Sequence, residues 1–311
     1  MATVINTGLT TAGLRSTFFE RLNATPTRWQ SWSTLVPSTL PIETYKWLGT
    51  VANPREWGTG RIAKGLRTEA YTVANRKYES TIEVDREEIE DDQTGQITLR
   101  VQDMATRAAQ YKDYLIGGLL MTGDESGQNS YDGVSFFNDA HVSGASGNQD
   151  NLLTFEVASA DTTQPTATEF KTAIQRAAAA MLNFKDDQGM PLHMDASGLT
   201  LVVAPQLYFA ALEAMNASVI NNTSNVNMGL AQVVAFPYLS ALPDEWYLLK
   251  TGSTVVNPFI VQIKESPEFV SIDSPTSEHV FNTDKYLYGT RERFAVAYGM
   301  WQNAVKTTFT T

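Results

Sequence analysis

Between Ile97 and Gly123 apolar side chains return at every third or fourth position: Ile97, Val101, Met104, Ala108, Tyr111, Leu115 and Leu119. That spacing places them on one face of an α-helix. At 1.5 Å per residue such a helix is roughly 40 Å long, whereas about 12 residues is usual in a globular domain. A fold that holds it needs a long partner surface along most of its length. Gly117 and Gly118 weaken its last turns, and Gly123 ends it.

The flanking segments supply that surface. Before the helix, Tyr71–Val84 alternates apolar and polar residues, with a change of phase at Asn75–Lys77 that reads as a bulge or twist. The glycines of GTGRIAKGL precede it, so the two together predict a long β-hairpin projecting from a body. Residues 1–44 contain a short amphipathic helix at Gly13–Asn23 and then an arm with Pro26, Pro37 and Pro41. Trp29, Trp32 and Trp47 on this arm either meet a partner or pack on their own domain. After the long helix come turn-rich loops to Asn151. A second helix follows, with Thr166 and Glu169 as a capping box and Phe170, Ile174, Ala177, Met181 and Phe184 as its buried stripe. GLTLVVA, EWYLLK, FIVQIKE and the aromatic C-terminal tail read as strands, and Pro205–Met215 as a helix opened by proline. Helices and strands do not alternate as βαβ units, which predicts an α+β fold.

The chemistry a chain of this composition can perform is limited. It has no cysteine, which removes disulfides, thiolate metal sites and a cysteine nucleophile. A net charge of -11 argues against binding nucleic acid through its phosphates. Charged residues make up only 18%, and a surface of small polar groups is cheap to desolvate in protein contacts. No leader pattern opens the chain and no apolar run reaches the ~20 residues of a membrane span. GTGRIA at Gly58–Ala63 matches a dinucleotide-binding pattern, but neither a strand before it nor a helix after it is expected, so it is read as a hairpin limb. His141, His193 and His279 stand apart without metal-ligand spacing and read as hydrogen-bonded structural residues. There is no nucleophile elbow. No catalytic residue, cofactor or metal is assigned.

Asp85–Gly95, DREEIEDDQTG, is the densest acidic stretch. It fails the EF-hand pattern, because Ile89 and Glu90 fall where a ligand and a glycine are required. Consecutive acids at a strand–helix junction do not make a facing catalytic pair. They suit the start of a helix, where the macrodipole favours negative charge. Their neighbours add a second meaning. Arg55–Lys77 carries six basic residues (Arg55, Arg61, Lys64, Arg67, Arg76, Lys77) against two acidic ones. Glu79–Asp92 carries eight acidic residues against one basic one, with Asp85, Glu87, Glu88, Glu90, Asp91 and Asp92 at its core. A basic hairpin beside an acidic base is expected to lie across the acidic base of a neighbouring copy, since such complementarity sets register and partner choice. Simple solvation of both charges is the alternative.

The order of parts resembles the HK97-type fold of tailed-phage major capsid proteins. REWGTGRIAKGL, AYTVANRKYESTIEVDREEIEDDQTG, SYDGVSFFNDAH (Ser130–His141) and YLYGTRERFAVAYGMWQNAV (Tyr286–Val305) are similar to blocks of the Mu-like major head subunit (gpT-like) family. The resemblance implies an N-terminal arm at 1–44, an extended E-loop hairpin at 45–84, and a P-domain at 85–151 and 276–311 with the spine helix at 97–123. It implies an A-domain at 152–275. It further implies a protein without enzymatic activity, whose copies form hexamers and pentamers of an icosahedral shell in the virion, assembled in the host cytoplasm. The shell would enclose DNA without sequence-specific binding. Scaffold, head maturation protease, portal and decoration proteins are the expected partners, with no membrane. An encapsulin-like compartment around a cargo enzyme is one alternative; an unrecognised hydrolase is another.

Overall fold

The computed structural model describes residues 11–46, 48, 71–90, 95–252 and 254–311. In chain order the elements are α1 (Thr11–Ala24), α2 (Trp29–Trp32), β1 (Ser33–Pro37), β2 (Ile42–Tyr45), β3 (Tyr71–Ala74), β4 (Arg76–Asp85), α3 (Arg86–Glu90) and α4 (Gln96–Thr122). They continue with β5 (Leu152–Glu156), α5 (Ala167–Leu182), β6 (Leu199–Val203), α6 (Tyr208–Asn216), β7 (Val219–Ile220), β8 (Thr223–Ser224) and β9 (Ala231–Ala235). The last are β10 (Glu245–Lys250), β11 (Phe259–Ile272), α7 (Glu278–Thr283), β12 (Lys285–Tyr298) and β13 (Ala304–Thr310). The fold is α+β, as the mixed order of elements predicts.

Two sheets carry the molecule. A four-stranded sheet has the order β1-β11-β12-β4, and a five-stranded sheet the order β5-β13-β10-β6-β9. In the five-stranded sheet every residue of β6 and β10 is buried, because helices and loops cover both faces of its centre. α5 packs across β13 and β10, and its capping box is formed: Glu169 N–H donates to Thr166 Oγ1 and Thr166 N–H to the Glu169 carboxylate. The predicted stripe Phe170, Ile174, Ala177 and Met181 faces this core, with Phe184 just beyond the helix end.

α4 joins the two halves. Its first half packs with α1, β4, β11 and β12 in a small core of Leu14, Phe18, Val84, Ile97, Val101, Met104, Phe269 and Tyr288. Ile116 and Leu120 belong to the large core around the five-stranded sheet. The helix runs unbroken through Gly117 and Gly118, contrary to the weakening expected there. Gly117 is needed for contact: a Cβ at that position would lie 2.8 Å from Tyr238 Cβ.

The arm packs on its own chain. Leu14 and Phe18 of α1 are fully buried, and Trp32 sits in the large core with its ring 5.0 Å from that of Phe236. Trp29 is half-buried against the same core, and Trp47 lies outside the described residues. β1 runs parallel to the first third of β11, so part of the expected arm is a sheet strand.

Tyr71–Val84 divides at Asn75, where the pattern changed phase. β3 pairs with β2 from Tyr45↔Tyr71 to Ile42↔Ala74, which forms the base of a hairpin whose far part lies outside the described residues. β4 leaves the hairpin and pairs antiparallel with β12 over ten residues. The hydrogen-bonded sheets also cross the expected domain limits. β11, expected within 152–275, pairs with β12, whereas β13 at the C-terminus enters the five-stranded sheet between β5 and β10. A 3-10 turn at Trp301–Asn303 redirects the chain between the two sheets.

Candidate assembly surface

β4 forms one edge of its sheet among the described residues, and it carries the charge split on a rigid strand. Arg76 and Lys77 are exposed at its start, opposite Phe294 and Arg293. Asp85 is exposed at its end, and Glu87 and Glu88 are exposed in the first turn of α3. Nine steps of a strand separate Arg76 from Asp85, about 30 Å. These two cations therefore cannot meet the acids of their own chain without breaking the strand. Glu90 is placed in α3 by its backbone. Arg55, Arg61, Lys64, Arg67, Asp91 and Asp92 lie outside the described residues.

The acidic end has a cation that sequence reasoning missed. Lys285, opposite Asp85 in the register, places its Nζ 2.6 Å from Glu83 and 3.8 Å from Asp85. The hydrogen bond from Glu83 and the charges of both acids raise the Lys285 pKa. The only signal for this pairing was the alternation of the C-terminal strand, which did not reveal its partner. Beyond it, Glu265 of β11 bridges Arg291 at 2.8 Å and Arg293 at 3.0 Å. Arg291 also stands between Glu268 and Glu79 across the strands. Charges along an open strand edge deter indiscriminate strand addition, and they favour a partner of matching charge pattern.

Buried polar groups hold this edge and the hairpin base in place. Lys112 of α4 reaches Glu292 of β12 at 2.6 Å, both side chains being nearly inaccessible, and its Nζ lies 4.1 Å from the centre of the Phe294 ring. Burial pushes the Glu292 carboxyl above its ordinary range, against the opposing charge of Lys112. The next residue, Asp113, accepts the backbone N–H groups of Arg28 and Trp29 at the start of α2. One turn of the spine helix therefore ties down both the arm and the returning strand. At the hairpin base Asn75 donates to Ser38 Oγ at 2.7 Å and to the Leu40 carbonyl at 2.8 Å. Glu43 accepts from the Leu40 and Thr39 N–H groups and the Ser38 hydroxyl, and the Leu40 bond contributes most to its lowered pKa. Tyr45 Oη donates to Gln262 Oε1 at 2.6 Å, and burial raises its pKa to about 12. The hairpin therefore leaves the body from a fixed direction.

Sites that could host chemistry are occupied by structural contacts. His141 is fully buried, 2.6 Å from Asp132 and stacked on Trp301 at 4.0 Å, and His193 Nε2 lies 3.0 Å from the Gln302 carbonyl oxygen. Lys306 is buried between Asp124 at 2.9 Å and Glu245 at 2.8 Å. No group of three potential metal-ligating side chains occurs among the described residues. A groove of about 640 Å³ beneath the hairpin base has Arg76 as its only charged lining residue, so it lacks a facing acid–base pair. No helix among the described residues is long and apolar enough to cross a membrane.

Comparison with known proteins accounts for this arrangement of arm, hairpin, long helix and two sheets. The chain matches the family described as Mu-like prophage major head subunit gpT over residues 8–167, 157–239 and 241–310. It is 26% identical over 291 residues to the major capsid protein of Escherichia phage Mu, and 23% identical over 292 residues to the Mu-like prophage FluMu major head subunit of Haemophilus influenzae. Each alignment covers 94% of this chain and 70% of the relative. The fold is similar to that of a chain in the procapsid of bacteriophage JBD30, with a TM-score of 0.57 and 23% identity, covering 100% of this chain and 77% of that one. The chain belongs to the Mu-like prophage major head subunit family and has the fold of phage capsid proteins.

Proposed function

We propose that this major capsid protein builds an icosahedral head from hexamers and pentamers that encloses DNA, and that it works by assembly rather than catalysis. The family match along nearly the whole chain carries this reading. The N-terminal residues to about 44 act as the arm. The hairpin rising from β2 and β3 acts as the E-loop. α4 with the β1-β11-β12-β4 sheet acts as the peripheral domain, and the five-stranded sheet with α5 and α6 acts as the axial domain. The basic hairpin, with Arg55, Arg61, Lys64, Arg67, Arg76 and Lys77, crosses the acidic corner of a neighbouring copy at Asp85, Glu87, Glu88, Glu90, Asp91 and Asp92. The ~30 Å between the two ends of β4 favours contact between copies over contact within one. Assembly takes place in the host cytoplasm, with scaffold, head maturation protease, portal and decoration proteins as partners.

Electron microscopy and light scattering of the purified protein test the shell. Closed particles are expected, and only small oligomers under every assembly condition would refute it. The triple change R61E, K64E and R67E should block particles while leaving the subunit folded by circular dichroism. Adding the changes E87K and E88K to a co-assembled partner chain should restore them. Normal particles from the triple variant would remove the hairpin–corner contact and leave the shell intact.

A further inference from the structure

From Ala214 to Pro243 the chain contains no Asp, Glu, Lys or Arg, although 18% of its residues are charged. Part of this run is buried strand, but the loop from Ala217 to Leu230 is largely at the surface. There Val226 is 79% exposed, Met228 62% and Val219 56%. The loop is held firmly. Asn225 and Asn227 alternate inward with Val226 and Met228 outward, and both amides are buried. Asn225 Nδ2 donates to the Ala214 and Ala217 carbonyls at 2.8 and 2.9 Å. Asn227 donates to the Lys171 carbonyl and accepts from Gln175, both groups of α5. The short hairpin of β7 and β8 turns through Asn221 and Asn222, both at positive φ, and Asn221 is tied to Thr168 at 2.8 Å.

An exposed apolar loop built this rigidly has little conformational freedom left to lose on contact. Its lack of charge points to its partner. Around a rotation axis each residue faces copies of itself, so any charged group there meets its own sign. A chain of net charge -11 needs a neutral surface where its copies converge. We infer that the Ala217–Leu230 loop is the surface by which copies of this chain meet one another around the axis of each ring, with Val219, Val226 and Met228 making the dry contact. This rests on the ring-forming role proposed above.

The test is the pair of single variants V226D and V226K, assembled separately and as an equal mixture, with V255D as a control. Val255 is 97% exposed and lies outside the charge-free run. Particle yield is measured by light scattering and electron microscopy, and folding by circular dichroism. V226D and V226K alone should each lower particle yield roughly a hundredfold with the subunit still folded, V255D should assemble normally, and the mixture should recover. Should either variant at Val226 fold poorly, M228D and M228K form an equivalent pair. Normal particles from V226D would overturn the inference and leave the capsid reading standing. A mixture that does not recover would also overturn it, since the loop would then face a different surface of its neighbour. Loss of particles in V255D as well would show that the effect is not local to the loop and would overturn it too. If the unmodified protein forms no particles, the capsid reading fails and takes this inference with it.

Discussion

Replacing Lys112 by methionine isolates the ion pair that links the spine helix to β12. The aliphatic stem is retained, so packing against Trp29 and Phe294 is largely kept while the charge 2.6 Å from Glu292 is removed. At an effective dielectric of 20 the lost Coulomb attraction is about 6 kcal/mol, and part of it was offset by desolvating both groups. Removing one partner of such a buried pair costs about 3–5 kcal/mol, because the other charge is left without compensation. Replacing both, as K112M with E292M, should return most of that loss. Urea unfolding followed by circular dichroism on the two single variants and the double variant measures the cycle. The loss should also depend on pH. The folded pKa of Glu292 is already raised above its ordinary 4.5 by burial, so folding takes up a proton in the window just above 4.5. Stability from this group is greatest below that window and is lost as the pH rises through the folded value. Without Lys112 that folded value rises further, so the cost of K112M should be largest near neutral pH and shrink as the carboxyl protonates in acid. Additive single effects, or a cost that does not change with pH, would refute the assignment of Lys112 and Glu292 as a coupled pair.

Three other substitutions have clear signs. Gly117→Ala should destabilise by about 1–3 kcal/mol, because the new Cβ meets Tyr238, while Gly118→Ala, with no atom within 4 Å, should stabilise by up to about 1 kcal/mol through helix propensity; thermal midpoints of the two would move in opposite directions. Thr166→Ala removes the capping box of α5 and should cost about 1 kcal/mol in urea unfolding. Asp113→Ala leaves the Arg28 and Trp29 N–H groups without their acceptor, so it should cost about 1–3 kcal/mol and speed proteolysis between α1 and β1.

Much of the candidate surface was readable from local pattern, but its connections were not. The change of phase at Asn75 marked the point where β3 ends and β4 begins. It did not show that β4 would pair with β12 rather than continue a hairpin limb, since alternating residues satisfy either arrangement. Arg76, Lys77, Asp85, Glu87 and Glu88 were legible as a charge split because charge is written in composition. Lys285 was not, because it reaches Glu83 from a strand about two hundred residues away in the chain. Asn75, Glu43 and Tyr45, which fix the hairpin base, looked like ordinary loop and strand residues until Ser38, Leu40 and Gln262 were brought beside them.

The sequence by itself determined the long amphipathic helix, the capping box at Thr166, most strands, the absence of thiol chemistry, the charge split along 55–92 and the family resemblance. Each of these depends on residues near one another in the chain, where periodicity and spacing act directly. Tertiary structure alone decided that β1 runs parallel to β11, that the C-terminal strand enters the five-stranded sheet, and that adjacent Lys112 and Asp113 point to opposite partners in the interior. Those outcomes depend on which distant surfaces exclude water together. A strand's pattern states that one face is buried, and only the assembled core determines what buries it.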